Sequence, residues 1–200
     1  MNIHHITPKT IIAALAVMAV PAVAFAAPVL TGSAAAPRNT STTAVAIASC
    51  PHGWGSLPEA NSRMTQAPVT AVRTGRHACY DRIVVDIRGR APGYDVRYVK
   101  NVYTDGAGHL VPLRGGAKLQ VVVRAPAYSS TGAATYSPKN ARELTNVAGY
   151  STFRQVAYAG TFEGQTTIGL GVRARLPFRV YTLSGPGSNT RSVIDVAHHW

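Results

Sequence analysis

Acidic residues are scarce. The 200-residue chain carries eight Asp and Glu against twenty Lys and Arg, for a formal net charge of +12 at pH 7. Such an excess of cations points to polyanionic partners. Cysteine is nearly missing as well, with Cys50 and Cys79 as the only two. No zinc-finger spacing, basic helix or RNA-binding sheet signature is present, so nucleic acid is not an expected partner. The chain also lacks a Gly-x-Ser-x-Gly elbow, a His-Glu-x-x-His pair and the Lys-Ser/Thr that follows a phosphate-binding loop. These absences remove the usual signatures of serine hydrolases, zinc hydrolases and P-loop nucleotide enzymes.

One long apolar run remains, Ile11 to Phe25, interrupted by Pro21. Lys9 precedes it and Ala24-Phe25-Ala26 closes it with small residues at the two positions a signal peptidase reads. A bilayer span needs about 20 apolar residues, so residues 1–26 read as a signal peptide and no stable membrane span is expected after processing. Loss of Lys9 takes the net charge from +12 to +11. Residues 27–49 are mostly Ala, Thr, Ser, Pro and Gly, with the single charge of Arg38. That composition cannot bury enough apolar surface to order itself and reads as a disordered linker. Residues 50–200 are the expected folded domain.

In an exported chain, an even pair of cysteines implies a disulfide, Cys50 to Cys79. Closing that loop adds about 3–4 kcal/mol if chain entropy dominates. Ile47-Ala48-Ser49-Cys50 also matches a lipoprotein processing tetrapeptide, but it stands far from the apolar run that should precede it directly. Lipidation would also leave Cys79 unpaired.

Within 50–200 the pattern is that of short strands. In Arg82-Ile83-Val84-Val85-Asp86-Ile87, the residues Ile83, Val85 and Ile87 share one face and Arg82, Val84, Asp86 and Arg88 the other. Arg191-Ser192-Val193-Ile194-Asp195-Val196 echoes this run near the end of the chain. Further strands are expected at Val69–Arg73, Val96–Thr104, His109–Leu113, around Leu119–Val123, and at Phe153–Tyr158, Thr166–Arg173, Phe178–Leu183 and Ser192–Ala197. Ser137-Pro138 ahead of Lys139–Leu144 has an N-cap and a proline at the first helical position, which predicts one short helix. The expected class is all-β: an antiparallel β-sandwich or half-barrel of about eight to ten short strands with at most one short helix.

Several blocks stand in an order that resembles one family. They are Trp54-Gly55-Ser56-Leu57, Val72–His77, Cys79-Tyr80-Asp81-Arg82, Pro92–Tyr98, Phe162–Arg173, Leu176–Val180 and Asp195–His198. The pattern, covering residues 50–200, is similar to the AMIN-like domain of secreted proteins from high-GC Gram-positive bacteria. That family looks related to the AMIN domain of cell-wall amidases. The resemblance implies a β-sandwich and a non-catalytic role in binding peptidoglycan or envelope partners.

Several constellations invite a chemical reading. Arg76 and His77 can line a pocket for an anionic group, or Arg76, Asp81 and Arg82 can form an ion network beside the disulfide. A bonded cysteine can be neither nucleophile nor metal ligand. Asp86 and Asp195 occupy equivalent places in the echoing strands and would suit glycoside hydrolysis if spaced as an acid and base. The preceding Arg82 and Arg191 favour structural ion pairs instead. Adjacent His198 and His199 point to opposite faces of a strand and lack a third ligand, so no metal is expected, and no cofactor. Gly169 and Gly171 share a face with Arg173. With Tyr158 and Tyr181 beside them they would form a shallow strip for a sugar ring or peptide stem, unless the glycines serve close sheet packing.

The expectation is therefore a secreted, extracytoplasmic module that binds peptidoglycan or another anionic wall polymer. One rival is an envelope module that docks proteins by an edge strand. Another is an enzyme acting on glycan or peptide, with Asp86 or Glu163 as the acid.

Overall fold

The computed structural model describes residues 49–200, and no helix occurs among the described residues. The leader reading for 1–26 and nearly all of the linker reading for 27–49 lie outside them. The strands are β1 (Glu59–Asn61), β2 (Val69–Arg76), β3 (Tyr80–Ile87), β4 (Tyr94–Val99), β5 (Val102–Tyr103), β6 (Leu110–Val111), β7 (Ala117–Val123), β8 (Phe153–Phe162), β9 (Gln165–Val172), β10 (Phe178–Ser184) and β11 (Thr190–Ala197). They form a five-stranded sheet in the order β1-β4-β7-β9-β8, a four-stranded sheet in the order β10-β11-β3-β2, and the small ribbon β5-β6. All pairings are antiparallel. The class is the antiparallel sandwich that the strand spacing implied.

The core follows from period-two alternation. In β3, Asp81, Ile83, Val85 and Ile87 are buried, whereas Arg82, Val84 and Asp86 are only partly so. Ile83, Val85, Ile194, Val196, Phe178 and Val180 of the four-stranded sheet belong to one apolar cluster with Val96, Leu119, Val121, Val156, Ile168 and Leu170 of the other. Each such side chain contributes about 1.5–3 kcal/mol on burial. The echoing runs are next-door neighbours, with Arg82 opposite Asp195 and Asp86 opposite Arg191.

A buried carboxylate ties the layers together. Asp81 has no exposed surface. Its Oδ2 accepts from the backbone N–H groups of Thr152 (2.6 Å) and Phe153 (3.0 Å), where β8 begins. Its Oδ1 lies 3.2 Å from His198 Nε2. The expected network of Arg76, Asp81 and Arg82 does not form. Asp81 shares the inward face of Ile83, away from Arg82. Arg76 stands opposite Asp81 across β2–β3 but donates to the Gly149 carbonyl at 3.0 Å instead, and the Asp81 oxygens are taken by Thr152, Phe153 and His198.

Three more expectations are corrected. The segment 137–144 is a series of turns, not a helix. Its Ala141 carbonyl accepts from Tyr158 N–H and its Leu144 N–H donates to the Val156 carbonyl, so it lies along the β8 edge and satisfies that edge instead of itself. The strand expected over Val96–Thr104 is two strands, β4 and β5, in different sheets. β1 had no counterpart in the sequence reading, since Glu-Ala-Asn lacks strand-forming side chains.

The fourth correction concerns the glycine strip. Gly169 and Gly171 are buried. The ribbon β5-β6 folds over this face, where Val102 and Val111 form a second apolar cluster with Ala157 and Ala159. A Cβ on Gly169 would lie 2.9 Å from Leu113 Cδ1, and one on Gly171 would lie 2.0 Å from the Arg114 carbonyl oxygen. The strip is therefore the floor of a covering layer and is closed to a ligand.

Gly171→Ala is expected to cost at least about 2–3 kcal/mol, because a backbone carbonyl must move. Gly55→Ala, where a Cβ meets nothing closer than 3.9 Å, is expected to stay within about 1 kcal/mol. Urea midpoints of the two variants measure the difference; equal midpoints would contradict the covering layer.

Candidate functional site

The outer face of the four-stranded sheet gathers most of the charged and aromatic side chains that alternation turns away from the core. In β11, Asp195 sits opposite Arg82 of β3 on one side and Arg179 of β10 on the other. Arg82 grips it with two bonds, Nε to Oδ1 at 2.6 Å and Nη2 to Oδ2 at 3.0 Å. Arg179 adds Nε and Nη2 bonds to Oδ2 at 3.0 and 2.8 Å, and Tyr181 Oη lies 3.3 Å from the same oxygen. Asp195 has no exposed surface while its arginines stay 20% and 38% exposed, so the charge outside belongs to the guanidiniums. The hydrogen bonds to Asp195 hold the Arg82 guanidinium above its ordinary pKa. Burial and the Asp195 charge push the Tyr181 phenol up.

Aromatic rings frame this pair. Arg179 lies 4.4 Å from the Trp54 ring centre and 4.9 Å from that of Tyr181. Arg82 lies 5.1 Å from Tyr80, on which His77 stacks at 4.5 Å. Cation–π contacts of this kind are worth about 0.5–2 kcal/mol each. Trp54 arrives from the irregular lead-in, which is held by the Cys50–Cys79 disulfide and by a bond from Phe178 N–H to the Gly55 carbonyl. Cys79 directly precedes β3, so the covalent link brings Trp54 to Tyr80 at 5.6 Å.

Beside the aromatic group lies a depression of about 230 Å³. Partly exposed Val84 lies in it above fully buried Val193, Arg73, Arg82 and Arg191 border it, and Gly75 supplies no side chain on the β2 side. Asp86 does not pair with Arg191, its cross-strand neighbour. Its carboxylate is taken by Arg73 through two bonds of 2.7 Å. Arg191 is left with one bond from Nη2 to the Ser184 carbonyl, 3.2 Å, and its buried Nε has no partner. Among the described residues it has no carboxylate within ion-pair distance.

The sequence candidates divide accordingly. Arg82, Asp86, Arg191, Asp195 and Tyr181 meet on this face, with His77 at its rim. Arg76 stands outside the depression, and exposed Arg173 donates to the His198 carbonyl. Tyr158 belongs to the other sheet, packed edge-on against Tyr136 at 5.6 Å. Asp86 and Asp195 are each held by guanidiniums and do not form a free acid–base pair. Glu163 is an exposed turn residue with φ of 48°. His198 is buried against Asp81 and His199 is exposed. The sequence reading missed Arg73, Tyr80, Val84, Arg179 and Val193 as site residues. Period two on the echoing strands would have placed Val84 and Val193, but only strand order brings in β2 and β10.

Two predictions test this geometry. Asp195→Asn leaves two guanidiniums facing each other, so it is expected to cost about 3–5 kcal/mol, read as a lower urea midpoint. Burial, first, raises the Tyr158 phenol from 10.0 to about 12. The unfolded phenol loses its proton first, so Tyr158 adds stability below pH 10 that disappears as pH rises toward 12. Tyr158→Phe should remove one late-ionising phenol from an absorbance titration and flatten the alkaline loss of stability.

The AMIN-like domain family model matches residues 67–198. No curated protein and no solved structure is significantly similar to the chain. AMIN-like domains are in general non-catalytic binding modules associated with the cell wall, and an intramolecular disulfide fits an extracytoplasmic setting. With the match spanning well over half of its length, this chain belongs to the AMIN-like domain family.

Proposed function

We propose that residues 50–200 act as a non-catalytic module that holds peptidoglycan on the outer face of the four-stranded sheet. Residues 1–26 would direct export and residues 27–49 would tether the domain. The observation that carries this reading is Arg191: a cation bordering a depression that holds Val84 and Val193, with no carboxylate of its own. A stem-peptide carboxylate from the polymer would pair with the Nη groups of that guanidinium, since its Nε is buried, and a charge-assisted hydrogen bond of that kind is worth about 1.5–3 kcal/mol. The sugar rings have Tyr80, Tyr181 and Trp54 nearby, each partly exposed, and the +11 charge left once Lys9 is removed favours encounter. The guanidiniums on Asp86 and Asp195 occupy the carboxylates that hydrolysis would need free.

Sedimentation with purified wall sacculi tests the reading. Arg191→Gln is expected to weaken retention about tenfold, with unchanged thermal stability. Lys139→Gln, which removes the same charge from the exposed segment along β8, is expected to leave it within about twofold. Equal behaviour of the two variants would reduce the binding to bulk charge and defeat the proposed face.

A further inference from the structure

A second cavity, of about 300 Å³, opens at the disulfide end of the sandwich. Its volume sits at the lower end of small-molecule sites. The chain has only two tryptophans, and both line this cavity. Trp200 is 78% exposed, yet its indole N–H donates to the Arg175 carbonyl at 3.1 Å, which orients the ring. Cys50, Cys79 and Pro177 add apolar wall, and His52 and His199 supply imidazoles. His52 Nδ1 is engaged by the Cys50 carbonyl at 3.1 Å, leaving Nε2 to serve a ligand. Among the described residues, no Asp, Glu, Lys or Arg lines the space.

We propose that this cavity takes one uncharged N-acetylated sugar ring of a glycan strand, stacked on the Trp200 indole with its hydroxyl or amide groups on the imidazoles. The chemistry selects that ligand. Indole faces suit the C–H face of a pyranose, an apolar wall suits an acetyl methyl, and the absence of charged walls disfavours an ionic group. Continuity gives a second argument. Trp54 lines the cavity and also lies beneath Arg179 on the sheet face. A single polymer can therefore place a neutral ring here and its charged stem near Arg191. Most of the lining, Cys50 to Trp54 with His199 and Trp200, stands outside the matched residues 67–198, so the cavity is built mainly from this chain's flanking segments. The inference rests on the envelope-polymer reading for its choice of polymer.

Chitotetraose, a neutral N-acetylglucosamine oligomer, is the probe, titrated into the purified chain in about 0.5 M sodium chloride to screen charge. Tryptophan fluorescence reports directly, since both indoles lie in the cavity. A saturable change is expected below about 10 mM. Trp200→Ala should weaken binding about tenfold, while Trp200→Phe keeps a ring for stacking and should stay within about threefold. Trp200 is exposed, so its truncation leaves the core intact, and Lys139→Gln, on the exposed segment along β8, should not alter chitotetraose affinity. No saturable change, or equal affinity for Trp200→Ala, would overturn the inference; so would a proline-rich peptide binding in a Trp200-dependent way where chitotetraose does not. Loss of chitotetraose binding with Arg191-dependent retention on sacculi would sink this cavity alone. The reverse result would sink the sheet-face reading alone.

Discussion

The register of β3 against β11 governs both the face and the core of this domain. Antiparallel pairing sets two Arg-x-x-x-Asp runs head to tail, so that each arginine stands opposite the other run's aspartate. The same register turns Ile83, Val85, Ile194 and Val196 inward together. A slip of one residue would expose that apolar set and bury the charges. Fold stability and the arrangement of surface charge are thus specified by one pairing.

The two halves of this charge pattern end differently because of their outer neighbours. Arg179 on β10 joins Arg82 at Asp195, giving one buried acid two cations. On the other side Arg73 of β2 takes Asp86 before Arg191 can. Four arginines thus share two aspartates on this face, and Arg191 is the one left without a carboxylate. A shortage of carboxylates visible in the whole chain therefore becomes local, at a depression bordered by that arginine.

Covering layers decide which surfaces are open. The ribbon β5-β6 closes the outer face of the five-stranded sheet, and the glycines of β9 permit that approach. The turns over residues 137–144 close the β8 edge. The outer face of the four-stranded sheet has no such cover among the described residues, apart from the lead-in that delivers Trp54. The disulfide fixes that lead-in where β3 begins, so one covalent link serves both the aromatic end of the charged face and the wall of the neighbouring cavity.

Much of this was legible in the residues themselves. Alternation along Arg82–Ile87 and its echo, the turn signals between short strands and the paired cysteines specify a disulfide-linked antiparallel sandwich, since these are local properties of spacing and composition. Extending the same alternation back to Asp81 turns it inward, a step the expected ion network with Arg76 and Arg82 left out. What tertiary structure alone decided is partnership. Arg73 over Arg191 at Asp86, Arg179 at Asp195, Thr152 and His198 at Asp81, and the ribbon over Gly169 and Gly171 all join residues far apart in the chain. The order of strands within a sheet leaves no periodic trace in sequence, and a side chain's partner is set by that order.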